Sequence, residues 1–315
     1  MRTALKNIFH RATRHSSSAR TPTTARRRPS PNVESLEPRY ALDAVPFAQI
    51  VSPTSNPLIG EEVNYTVRFD NTAVAPGDIG YSPFIDIVMP RTGDASTQVG
   101  QKTVNNGISF KPGTAKYGPL SLTTDVVDFD AHGDATHPFA KDALGQPLVI
   151  KGTPGDQLVV VQLPFGSYGP DQPPIDINFT GVVSSDAQAN PNPAYKIQTQ
   201  GGFQYDTDLA NNPTVNVATM GQQTTDAVEP QLFRLTKTSD AQENETVTGP
   251  NFTHTYSVNV DVATGQKVED LVLTDVLPNS VQFVADTTSG GTMVHTPNQS
   301  QPGGTLEYNF GSVTG

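Results

Sequence analysis

Apolar and polar residues alternate in short runs through most of the chain after residue 44. Glu62-Val63-Asn64-Tyr65-Thr66-Val67-Arg68-Phe69 alternates with period two, which predicts a strand with one buried and one solvated face. Phe84-Ile85-Asp86-Ile87-Val88-Met89 is a more continuous apolar run closed by Pro90, and it predicts a second strand. The order recurs later: Thr253-His254-Thr255-Tyr256-Ser257-Val258-Asn259-Val260 precedes Leu271-Val272-Leu273-Thr274-Asp275-Val276-Leu277-Pro278. In both places a Tyr-centred strand leads, after a polar Gly-containing loop, to an apolar strand ending in proline. Two related sandwich modules are the economical reading. Further strands are expected over Gln157–Leu163, Ile175–Val183 and Leu306–Phe310.

Composition agrees with an all-β chain. In 315 residues there are 26 glycines, 27 prolines and no tryptophan, and only 16% of residues are charged. That Gly and Pro content supplies turns without reaching the level of a low-complexity polymer. Cysteine is absent, which excludes disulfides, thiolate nucleophiles and zinc–thiolate sites.

Charge divides the chain in two. Residues 1–40 carry nine Lys/Arg against Glu34 and Glu37, a net of +7, whereas residues 41–315 carry 11 basic and 29 acidic groups, a net of −18. The acidic body repels polyphosphate, so no nucleic-acid partner is expected. Within the basic segment, Ala4–Arg14 spaces Leu5, Ile8, Phe9 and Ala12 as a short cationic amphipathic helix, and residues 16–31 read as disordered. No run of 7–15 apolar residues follows the basic region, so an ordinary secretory signal is not expected; nor is any stretch long enough for a membrane span.

Leu36-Glu37-Pro38-Arg39-Tyr40-Ala41-Leu42 resembles the N-terminal Leu-Glu-Pro-Arg motif of planctomycete-type extracellular proteins, which implies export to the cell surface or beyond. Ala41 stands where that group often has leucine. A second resemblance lies in Leu235-Thr236-Lys237-Thr238, Thr255-Tyr256-Ser257-Val258-Asn259-Val260 and Asp275-Val276-Leu277-Pro278 before Gln282-Phe283-Val284. These runs look like the conserved repeat domain of bacterial and archaeal surface proteins, which implies an Ig-like sandwich used as a stalk or adhesion spacer. Asp261-Val262-Ala263-Thr264-Gly265 departs from the Asn-Thr-Gly usual in that family. The organisation expected is therefore a basic export or targeting segment over 1–43, mostly disordered, a large β-sandwich module over 44–228 and an Ig-like repeat over 229–315. About five strand-like runs in this last part, against seven in an Ig-like domain, lead to the expectation that its final strands are missing.

Candidate chemistry is sparse. His132, His137, His254 and His295 are scattered, no His-Glu-x-x-His pair occurs, and Gly166-Ser167-Tyr168-Gly169 lacks nucleophile-elbow spacing and reads as a β-turn. No catalytic residue or organic cofactor is expected. Calcium is the one cofactor to weigh. Asp128, Asp130 and Asp134 fall at positions 1, 3 and 7 of an EF-hand-like loop with Gly133 at position 6, but Phe139 occupies position 12, where the bidentate Glu belongs. Alternation alternatively puts Asp128 and Asp130 on one solvated strand face. Asp206 and Asp208 form a similar oxygen-rich stretch, or an Asx-rich turn. Lys237, Asp275 and Asn309 are a candidate trio for a carboxylate-promoted isopeptide bond of the kind that Ig-like bacterial surface modules imply, against a plain edge lysine. The functional expectation is a non-catalytic structural or adhesive module, extracellular or on the surface, with other surface proteins or cell-envelope material as partners. The alternative is an accessory region of a larger extracellular hydrolase.

Overall fold

The computed structural model of the chain describes residues 44–51, 56–93, 105–205, 217–240 and 253–315. The helix expected over Ala4–Arg14, the disordered stretch 16–31, the Leu36–Leu42 motif, Asp206 and Asp208 lie outside those residues. Every regular element among the described residues is a strand. In chain order these are β1 (Pro46–Ile50), β2 (Glu62–Asn71), β3 (Gly80–Met89), β4 (Ile108–Phe110), β5 (Lys116–Tyr117), β6 (Leu120–Ser121), β7 (Thr124–Asp128), β8 (Asp134–Lys141), β9 (Pro147–Lys151) and β10 (Gln157–Gln162). They continue with β11 (Ser167–Tyr168), β12 (Ile175–Val183), β13 (Tyr195–Tyr205), β14 (Thr219–Met220), β15 (Thr224–Val228), β16 (Phe233–Ser239), β17 (Tyr256–Val262), β18 (Lys267–Gln282), β19 (Thr292–His295) and β20 (Pro302–Thr314). The chain is all-β, built of tandem sandwich modules.

Up to β15 the strands form two large sheets and a separate antiparallel hairpin, β8-β9. One runs β1-β2-β12-β5-β6 with β4 also on β12; the other runs β14-β13-β3-β10-β7, with β11 on β3 and β15 on β13. Alternation dictates what lies between them. Val63, Tyr65, Val67 and Phe69 of β2 and Ile175, Ile177 and Phe179 of β12 point into one apolar cluster with Ile85, Ile87 and Met89 of β3. Tyr65 and Phe179 are register partners, and their rings stack at 5.3 Å. Each such fully buried side chain is worth roughly 1.5–3 kcal/mol of transfer free energy, so this cluster carries the module.

The unbroken apolar run in β3 has a second cause. Phe84, Asp86 and Val88 face away from the main core, where the β8–β9 hairpin covers them with Phe139, Leu148 and Ile150. The second sheet is thus buried on both faces at β3 and β10, which is what a continuous rather than alternating run requires. Gly202, opposite Phe84 in register, is held to glycine by this packing: a Cβ there would lie 2.2 Å from the Phe84 ring.

Ser167 and Tyr168 are not a turn, as their flanking glycines suggested, but β11, paired with Tyr81 and Gly80; burial of the Tyr168 ring against Phe69 decides the conformation. Asn71, at the end of β2, is buried and uses its whole side chain. Its Oδ1 accepts from Val45 N and Ala73 N, and its Nδ2 donates to Asp78 O and Tyr168 O.

Beyond β15 the strands form an antiparallel pair, β16-β17, and a three-stranded sheet, β18-β20-β19. Leu277, Phe283, Leu306 and Tyr308 make a small core on the latter. The Tyr-strand correspondence appears here as topology: β1-β2 and β16-β17 are both antiparallel pairs, and the following strand, β3 or β18, joins a different sheet. Tyr65 is fully buried while Tyr256 is 44% exposed, and among the described residues β16-β17 has no third strand to flank it.

The stretch 229–232 joins β15 to β16 while bonded to the first module. Gln231 donates to Pro57 O at 2.8 Å and accepts from Ile59 N at 3.0 Å, and Pro230 O accepts from Asn190 N at 2.7 Å. Arg234 NH2 meets Glu61 Oε2 at 2.7 Å, Gln266 Nε2 donates to Ser185 O at 2.9 Å, and Ala263 belongs to the large apolar cluster.

Candidate functional site

The three aspartates around residue 130 lie along one strand-to-turn passage. The strand ends at Asp128, so Asp130 does not continue its face but sits in the turn that follows, because its Oδ1 accepts from His132 N at 2.8 Å and Asp134 N at 2.9 Å. Those two backbone donors hold the Asp130 carboxyl below the usual carboxylate range. Gly133 allows the turn with φ +74°, and a Cβ there would strike Gly152 O at 2.3 Å. The neighbours turn elsewhere: Asp128 pairs with Arg91 at 3.0 Å, and Asp134 pairs with Lys151. Each carboxylate thus has a protein partner of its own. Among the described residues no group of three or more His, Asp or Glu side chains is arranged to hold a metal ion.

Of the trio Lys237, Asp275 and Asn309, the structure brings two together. Lys237 on β16 places Nζ 2.7 and 2.9 Å from the two oxygens of Asp275 on β18, with the Tyr256 ring 5.3 Å away. Asp275 is opposite Leu306 in register, and Leu306 shares its face with buried Tyr308. Asn309 is the next residue along β20 and turns to the exposed side, where its Oδ1 accepts from Gly311 N at 2.8 Å. The Lys237 and Asp275 side chains are 43% and 22% exposed, so their pairing is a hydrated ion pair between sheets.

Two buried aspartates are shifted by their surroundings, and sequence pattern alone passes over what they do. Asp86 interrupts the apolar run of β3, and the structure buries it with His137 of β8, whose Nε2 is 3.2 Å from Asp86 Oδ1. The His137 Nδ1 accepts from the backbone N–H of Ala140 at 2.9 Å and of Phe139 at 3.3 Å, which puts the ring proton on Nε2. Asp86 Oδ2 is buried without a hydrogen-bond partner, and burial raises the carboxyl above its ordinary value. The readable signal was a single acidic residue in an otherwise apolar strand. A second buried aspartate, Asp156, is also raised by burial, but its Oδ1 accepts from both the backbone and the hydroxyl of Thr92, at 3.0 and 2.6 Å. It fastens the turn after β3 to the start of β10.

No protein-family model and no curated protein matches the chain. Solved structures with some likeness include a 35 kDa C-terminal fragment of the major pilin of Streptococcus agalactiae, at 11% identity and TM-score 0.31, covering 85% of this chain and 77% of that one. The group B streptococcus pilus 2b backbone protein aligns at 13% identity and TM-score 0.30, over 84% of this chain and 79% of its own. AvmM, which catalyses macrocyclization in alchivemycin A biosynthesis, aligns at 10% identity and TM-score 0.31, over 60% of this chain and 90% of that one. Likeness at this level carries no weight for function.

Proposed function

We propose that this chain is a non-catalytic structural or adhesive module of a bacterial protein at the cell surface or outside the cell, meeting other surface proteins or cell-envelope material. The observation that carries the reading is the junction between β15 and β16. Gln231 bonds in both directions to Pro57 and Ile59, Arg234 pairs with Glu61, and Ala263 sits in the core of the first module. A spacer that holds a fixed reach needs such a coupling, whereas modules on a free linker behave as independent bodies. The acidic body and the resemblance of residues 36–42 and 235–284 to surface-protein sequences agree with it. Among the described residues no helix is long and apolar enough to cross a membrane.

The chain has no cysteine, so two introduced ones can be labelled uniquely. Leu144→Cys and Val294→Cys, both at exposed positions, place spin labels on the two modules. Pulsed dipolar spectroscopy on the full chain should give one narrow distance distribution. A broad distribution, showing modules that reorient freely, would remove the basis for the spacer reading.

A further inference from the structure

Strand β17 leaves one edge open. Ala263 N donates to Leu232 O at 2.9 Å and Asp240 N to Thr255 O at 3.2 Å, so the odd-numbered residues of β17 make the bonds to β16. Tyr256, Val258, Val260 and Val262 therefore aim their N–H and C=O groups at the opposite edge, where none of them bonds to another described residue. One end of that edge is closed by Gly315, since a Cβ there would lie 2.2 Å from Val262 O. The open length is thus residues 256–260.

An unpaired edge is a template for another strand, and proteins blunt it with charge, proline or a bulge. Here β7 carries Asp125 and Asp128, β9 carries Pro147 and Lys151, and β16 carries Arg234 and Lys237. Tyr256-Ser257-Val258-Asn259-Val260 has no charged residue and no proline, and its pairing with β16 runs without a register shift.

The same five residues are their own complement. Antiparallel pairing about a two-fold axis at Val258 sets Val258 opposite Val258, Tyr256 opposite Val260 and Ser257 opposite Asn259 of the other copy. Apolar side chains then meet on the face that holds half-exposed Tyr256, and on the other face the Ser257 hydroxyl can donate to the Asn259 amide oxygen. The open groups of Tyr256, Val258 and Val260 exchange two hydrogen bonds at each of these facing pairs, which leaves none of them unused. Asp261 falls opposite Thr255, not opposite its own copy. An axis at Asn259 would instead bring Tyr256 against Val262, where Gly315 stands.

We propose that β17 pairs in this register with β17 of a second copy of the chain, joining two β16-β17 pairs into one four-stranded sheet. The contact is isologous, so it closes at two copies and does not propagate. Five residues a side make a small interface, at the weak end of specific association, so the dimer dissociates in the range of roughly 10–500 μM. Self-association of the second module goes beyond the spacer reading and does not depend on it.

Sedimentation of the full chain over about 10–1,000 μM should show monomer passing to dimer. Val258→Pro removes the N–H on the axis without touching a bond to β16, and should weaken the dimer at least about tenfold. Oxidation of single-cysteine chains reads the register, because the sequence has no cysteine of its own. Ser257 and Asn259 are exposed. Opposite each other in the dimer, their Cα atoms are about 4.5 Å apart, within the span of a disulfide, whereas like positions are diagonal at about 7–8 Å. A mixture of Ser257→Cys and Asn259→Cys chains should cross-link at least about tenfold faster than either chain alone or than Leu144→Cys, which lies on the β8–β9 hairpin. A chain still monomeric at about 1 mM would overturn the proposal. So would a mixture that cross-links no faster than the single chains, or a folded Val258→Pro that dimerises unchanged. The cysteine chains decide the matter if Val258→Pro does not fold.

Discussion

His137 donates through Nε2 to Asp86 Oδ1 at 3.2 Å, and the two side chains are shut between β3 and the β8–β9 hairpin with Phe84 and Phe139 packed around them. The pair has one hydrogen bond to share and leaves Asp86 Oδ2 without a partner. An ionised carboxylate in that position is costly, so the native state retains the proton more strongly than the unfolded chain does.

The sign of the resulting pH dependence is fixed. Asp86 is raised from 3.8, so above that pH the native protein binds more protons at this group than the unfolded chain. This contribution to stability is therefore greatest at or below about pH 4 and is lost as pH rises through the folded value. Asp86→Asn keeps an acceptor for His137 and cannot ionise. Its stability relative to wild type should therefore rise as pH goes from 4 to 8. Urea unfolding at a series of pH values checks this; a stability difference that does not change with pH would refute it.

Asn71→Ala removes four hydrogen bonds at once and strands Val45 N, Asp78 O and Tyr168 O. Each buried group left unsatisfied costs roughly 1–3 kcal/mol, partly recovered by entering water, so a loss of about 3 kcal/mol is expected. Asn71→Asp turns an oxygen toward Asp78 O and Tyr168 O and buries a charge, so at neutral pH it should destabilise at least as much as Asn71→Ala in chemical denaturation.

Lys237 and Asp275 should remain separate side chains. The pair is hydrated and Asn309 faces the other side of its sheet, so the intact mass should equal that of the sequence, neither one water nor one ammonia lighter. Asp275→Asn should cost less than about 1 kcal/mol. A mass deficit localised to these two strands would show the covalent link instead.

Calcium should have a modest effect. Asp128, Asp130 and Asp134 are already engaged by Arg91, backbone N–H groups and Lys151. The melting temperature with calcium and with chelator should differ by less than about 10 °C, since a larger shift implies several kcal/mol of linked binding in a chain of this size.

The sequence by itself determined the strands. Period two in Glu62–Phe69 and Ile175–Val183 sets which side chains go inward, and nothing but a strand satisfies it. It also determined the charge asymmetry and the exclusion of thiol chemistry. Tertiary structure decided everything that depends on residues distant in the chain. The β8–β9 hairpin explains why β3 is apolar on both faces, and no local pattern in Phe84–Met89 says what lies above it. The partners of Asp128, Asp130 and Asp134 diverge because a turn, not strand alternation, follows residue 128. Asn309 faces away from Asp275 because β20 pairs with β18 in a register that sets Leu306, not Asn309, opposite Asp275, and alternation then turns Asn309 to the other face. Tyr65 and Phe179 come from strands far apart in the chain, and only the cross-strand register of β2 and β12 brings their rings together.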